Sequence, residues 1–128
     1  MKALLDTHTF LWWNLKSPQL SDTARNFIAN GRNQIYISAV TTWEISIKYG
    51  KGKLVLPEPP EKYVANRLTE HRFLALPIQL SHTLQVHKLP DIHKDPFDRL
   101  LIIQSKMENL PLLTADRTIA RYEVEVIW

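Results

Sequence analysis

Along the chain, short apolar runs alternate with longer stretches whose apolar residues recur at helical spacing. Met1–Leu5 is mostly apolar up to Asp6, the pattern of a buried strand ending in a charge. Thr7–Leu15 and Ser21–Ala29 read as helices, the second opened by Ser21 as its cap. Gln34–Ile37 is a short strand. Pro57, Pro59 and Pro60 mark a loop before a helix over Glu61–His71. Phe73–Ile78 is a second apolar strand, Ser81–Lys88 a short helix and Pro90–Lys94 a loop. Asp95-Pro96 opens a strong helix to about Glu108, with Asp as cap and Pro in the first helical position. Leu110–Leu113 is another strand, Thr114–Tyr122 a turn with a short helix, and Val124–Trp128 a final strand.

The segment Ser38–Tyr49 supports two readings. Trp43, Ile45, Ile47 and Tyr49 alternate with Glu44, Ser46 and Lys48, which is a strand pattern. As a helix, Val40, Trp43, Glu44 and Ile47 share one face while Ile45 and Tyr49 lie opposite, so two faces would be buried. Apolar strands alternating with helices imply a parallel sheet covered on both sides, an α/β fold formed by residues 1–128 as one domain. Ligands in such folds collect at the carboxyl ends of strands, and Asp6 and Asp116 fall there.

Composition narrows the chemistry. An apolar fraction of 45% and a charged fraction of 23% are ordinary for a globular domain, and 128 residues suffice for one core. The absence of cysteine excludes disulfides, zinc–thiolate sites and thiol nucleophiles, and permits a reducing compartment. No secretory signal and no apolar run of about 20 residues is visible, so a cytoplasmic location away from membranes is expected. A formal charge of +3 suits a polyanionic partner without requiring one.

The acids carry more information than the net charge. Asp6 and Asp95 each sit where a helix cap is wanted, and Asp98 and Asp116 lie in first turns, where an ordinary acid is favoured. Glu44 is harder to dismiss, because it shares a helical face with apolar residues and a buried carboxylate is costly unless paired or bound to a metal. Mg²⁺ takes oxygen ligands, keeps several waters and needs only a few protein carboxylates. Brought together at one sheet end, such acids suit phosphodiester hydrolysis.

This ordered set resembles the PIN-domain ribonucleases, most closely toxins of the VapC type. The resemblance runs from LLDTHTFLWW through SAVTTWEISIKYGKGKL and HKDPFDRLLIIQS to LLTADRTI, with His93–Leu101 its most specific piece. It implies a three-layer α/β/α sandwich with a mostly parallel sheet of about five strands. It also implies that Asp6, Glu44, Asp98 and Asp116 hold one or two Mg²⁺ or Mn²⁺ ions and position water against an RNA phosphate. Thr114 takes the place of the hydroxyl that supports those acids, and Asp95 is left as a helix cap. A homodimer and a small cognate antitoxin are the partners implied.

Arg99 and Arg117 directly follow two of the acids, and His8 and His93 flank others, so these four are candidate substrate contacts. Lys48, Lys51 and Lys53 form a loose basic patch. The five histidines lack metal-ligand spacing, and adjacent Trp12 and Trp13 cannot both face one core. A phosphoryl-accepting receiver or aspartyl phosphatase would need a second acid beside Asp6, where Thr7 and His8 stand, and a phosphate-binding GxxxxGK loop is absent. The remaining alternative is a PIN-like module that acts through protein contacts without catalysis.

Overall fold

The computed structural model describes residues 1–128. The chain opens with β1 (Lys2–Leu5), α1 (Thr7–Leu15), α2 (Asp22–Ala29) and β2 (Gln34–Ser38). It continues through α3 (Ala39–Gly50), α4 (Pro60–His71), β3 (Leu74–Leu76) and α5 (Leu80–Gln85), which runs into a 3-10 turn at Val86–Lys88. The last elements are α6 (Pro96–Met107), β4 (Leu112–Leu113), α7 (Arg117–Ala120) and β5 (Val126–Ile127).

The strands lie in the order β3-β2-β1-β4-β5, and all four pairings are parallel. The expected α/β sandwich is present. Its sheet is wholly parallel because each strand-to-strand connection carries at least one helix. Strand alternation divides the core. Ala3, Leu5, Ile35 and Ile37 point to one face, where Phe10 of α1, Ala24 and Ile28 of α2, and Tyr63 and Val64 of α4 cover them. Leu4 and Leu112 point to the other, against Leu100–Ile103 of α6 and Ile119 of α7.

The ambiguous segment is a helix, begun where the Ser38 hydroxyl accepts the Val40 N–H at 2.9 Å. It does bury two faces: Ile45 enters the α1/α2/α4 core and Val40 the α6 core. The buried stripe is Val40, Thr41, Glu44 and Ile45, so Trp43 does not share the buried face of Glu44. Trp43 is 52% exposed and packs edge-on against Phe97, ring centroids 5.0 Å apart. Several boundaries also differ from the sequence reading, with β4 and β5 reduced to two residues each. Pro60 is the first residue of α4 rather than loop, a position where a missing N–H costs nothing. Only three residues of Phe73–Ile78 pair as a strand, although Phe73 itself is buried.

The chain winds outward from β1 to β2 and β3, then returns to place β4 and β5 on the opposite side of β1. The crevice between the carboxyl ends of β1 and β4 is therefore the topological switch point. The Asp6 N–H donates to the Leu113 carbonyl at 3.2 Å, which sets Asp6 beside Thr114.

Replacing Leu101, which is fully buried on α6, by Ala is expected to cost about 2–5 kcal/mol in urea unfolding. Ser21→Ala, which removes the cap on the Ala24 N–H, should cost about 1 kcal/mol in the same measurement.

Candidate functional site at the switch point

Asp6 closes β1 and caps α1, and its two carboxylate oxygens do different work. Oδ1 accepts the Thr9 N–H at 2.8 Å, and Oδ2 accepts the Thr114 hydroxyl at 2.6 Å. The Thr9 hydroxyl donates to the Leu113 carbonyl at 2.9 Å, tying α1 to β4. Asp6 is only 5% exposed, and burial raises its pKa above the ordinary range against the pull of the Thr114 and Thr9 hydrogen bonds.

Thr114 also accepts the Asp116 N–H at 3.0 Å, so one hydroxyl joins two of the acids expected from sequence. Asp116 is exposed and caps α7 through the Thr118 N–H at 2.8 Å. With Asp6, His8, Trp12 and Ala115 it lines a shallow depression of about 200 Å³. His8 packs against Trp12 there, which in turn meets Trp128.

Asp98 projects from the first turn of α6. Burial pushes its pKa up from 3.8 to about 6, and the charges of Asp95 and Asp6 act in the same direction. His93 Nε2 lies 3.2 Å from its Oδ2. Asp95 is the helix cap foreseen, its Oδ1 accepting the N–H groups of Phe97 and Asp98 at 2.9 and 3.0 Å. Its charge nonetheless reaches Asp98.

Glu44 is 6% exposed, with Oε1 accepting the Thr7 hydroxyl at 2.6 Å and Oε2 paired with Lys48 at 2.7 Å. Lys48 thus faces inward from the proposed basic patch, while Lys51 and Lys53 stay exposed. Arg117 is exposed at the start of α7. Arg99 corrects a sequence expectation. Its guanidinium is not presented to a substrate but donates to the Pro90 carbonyl at 2.8 Å, the His93 carbonyl at 3.3 Å and the Tyr122 hydroxyl at 3.2 Å. It braces the loop that carries His93.

Sequence reasoning missed Thr7, Thr9 and Tyr122. The Lys48–Glu44 pair was legible as an i, i+4 spacing, but nothing local marks a threonine or a tyrosine as the partner of a distant carboxylate. The largest cavity, about 550 Å³, lies elsewhere, between Trp13, Arg25, Arg67 and His71, and contains none of the four acids.

The donor set suits a hard divalent cation: oxygen ligands only, Asp6 and Glu44 deeply buried, Asp6 and Asp98 raised in pKa by burial, Asp98 also by like charge. As arranged here, no three of the His, Asp and Glu side chains converge closely enough to hold a metal among themselves. Lys48 draws Glu44 aside, and capping holds Asp116 at the rim.

The Asp98 shift has a consequence for stability. Its folded pKa lies above the unfolded one, so the stabilisation it gives is complete below about pH 4 and lost as pH rises through about 6. In EDTA-treated protein, Asp98→Asn should therefore be more stable than wild type at pH 7.5, by on the order of 2 kcal/mol. The difference should close near pH 4; thermal unfolding across that range measures it.

Comparison with known proteins agrees with this architecture. Ribonuclease VapC16 of Mycobacterium tuberculosis is 35% identical over 77 residues, 57% of this chain and 53% of that protein, so the match spans about half the relative's length. The structure of VapBC2 from Rickettsia felis, bound to a DNA fragment from its promoter, superposes with a TM-score of 0.70 at 19% identity, covering 98% of this chain and 97% of that one. FitAcB from Neisseria gonorrhoeae gives 0.61 at 20% identity over 98% and 96%. These two establish the fold. The sequence also matches the PIN domain over residues 3–125, nearly its full length, and the chain belongs to the PIN-domain family.

Proposed function

We propose that this protein is a divalent-metal-dependent endoribonuclease and the toxin of a toxin–antitoxin pair. The observation that carries the reading is the linked set at the switch point: buried Asp6, joined through Thr114 to Asp116, with Asp98 close enough to feel the Asp6 charge. The partial match to a named ribonuclease supports RNA as the substrate.

Asp6, Asp98, Asp116 and Glu44 would hold Mg²⁺, or Mn²⁺ in its place. Such an ion supplies charge neutralisation at the phosphate and a more acidic water. The chain's own groups do the rest. Thr9 and Thr114 fix both Asp6 oxygens, so that ligand is preorganised. Thr7 and Lys48 hold Glu44 in reserve. Exposed Arg117, Lys51 and Lys53, with His8 beside the cleft, are the groups available to an RNA backbone. No helix is long and apolar enough to cross a membrane, and a cytoplasmic site of action is part of the proposal.

Two partners complete it. A small cognate antitoxin is supported by the likeness to the VapBC2 and FitAcB structures, and a second copy by exposed Trp43 and Tyr49 on α3. One observation favours a second reading, a binding module without turnover: the acids do not converge in this arrangement.

Purified protein incubated with structured RNA decides between them. Cleavage is expected with Mg²⁺, none with EDTA, and only background with Asp6→Asn or Asp98→Asn. Thr114→Val should lose roughly 10–100-fold, the size expected for a group that orients a metal ligand. Equal cleavage by wild type and variants would mean a contaminating nuclease and remove the site assignment.

A further inference from the structure

Behind Asp98 lies a polar chain that the proposed reaction has not used. Tyr122, which follows α7, is almost fully buried, and its hydroxyl is approached by two donors. These are the His93 N–H at 2.9 Å and Arg99 Nη1 at 3.2 Å. The His93 N–H is the nearer donor; Arg99 Nη1 has two protons for this hydroxyl and the Pro90 and His93 carbonyls, so its bond here is shared. Its own proton has two possible destinations, the His93 carbonyl at 3.3 Å and the nearer His93 Nδ1. The carbonyl is the more distant, and Nε2 of the ring faces an Asp98 carboxylate oxygen, an acceptor, so in the neutral ring Nδ1 is the nitrogen left to accept. The phenol therefore donates to Nδ1. Neutral His93 must then carry its proton on Nε2, 3.2 Å from Asp98 Oδ2.

We propose that Tyr122 is a positioning residue for the metal site: its hydroxyl, held by Arg99 and the His93 backbone, locks the His93 ring so that Nε2–H holds Asp98. The inference rests on the reading of Asp98 as a metal ligand. One carboxylate oxygen is fixed and Oδ1 remains as the donor for a cation. His93 is thereby reassigned from a substrate contact to an orienting group, and Arg99 acts one step further back. A histidine that ligates metal commonly has its other nitrogen fixed by a neighbour. Here the same device acts on a carboxylate.

The test separates this inference from the reading beneath it. Two-bond ¹H–¹⁵N correlation of the His93 ring in EDTA-treated, full-length protein at pH 7.5 should show the Nε2–H tautomer, and Tyr122→Phe should convert it to a mixture. An Nδ1–H pattern in wild type, or no change in the variant, overturns the proposal without reference to activity. In RNA cleavage, Tyr122→Phe should lower kcat about 10-fold with KM unchanged, at the low end of the range for orienting groups. His93→Gln, whose amide can still donate to Asp98, should retain more activity than His93→Ala. In the His93→Gln background, Tyr122→Phe should have no further effect. Equal loss in both backgrounds makes Tyr122 a merely structural residue and sinks the proposal. If instead Asp98→Asn cleaves like wild type, the metal-site reading fails, and the ring tautomer alone judges the Tyr122–His93 link.

Discussion

The parallel pairing of β1 with β4 is the constraint on which the site depends. It involves only Leu4 with Leu112 and Leu5 with Leu113, yet it sets the register in which Asp6 meets Thr114. A slip of one residue would reverse the faces of Leu112 and Leu113 and send each into the wrong half of the core. Register at the site is thus enforced by apolar burial several ångströms beneath it. The Thr9 hydroxyl on the Leu113 carbonyl adds a second tie across the same seam.

Electrostatics at the crevice runs against folding. Burial raises the pKa of Asp6, and burial with like charge does the same to Asp98, so both carboxylates are held less comfortably in the native state than in the unfolded chain. Under the proposed function, that strain at the carboxyl end of the sheet is what a bound cation would relieve. Lys48 shows one local response, an ammonium turned onto Glu44. The stability of the domain comes from elsewhere, from two apolar layers that the strands build by simple alternation.

Much of this was legible in the sequence. Strand and helix order followed from short apolar runs and from caps such as Ser21 and Asp95, because those signals are local. The location of Asp6 and Asp116 followed from strand ends, while the pattern of α3 fitted both a strand and a helix buried on two sides. What escaped was set by tertiary packing. Trp43 looked internal by periodicity, but the stripe that faces the core is displaced by one residue, through Thr41 and Ile45. Arg99 looked free because its neighbour is an acid; it is engaged by carbonyls of a loop that no local pattern brings near. Thr7 and Tyr122 lie 37 and 29 residues from the groups they touch, beyond the reach of any periodicity.

The double duty of Asp6 has a consequence for how this chain can vary. One oxygen caps the first turn of α1 and the other accepts the hydroxyl of Thr114, just past β4, so an exchange for alanine removes a cap and a charge together. A survey of substitutions scored only by cellular abundance would mark position 6 as intolerant, although nothing in that score concerns chemistry. Asparagine can still cap the helix while lacking the negative charge. Drift at this position is therefore funnelled toward a protein that keeps its fold and loses the charge at the switch point, one mutational step away.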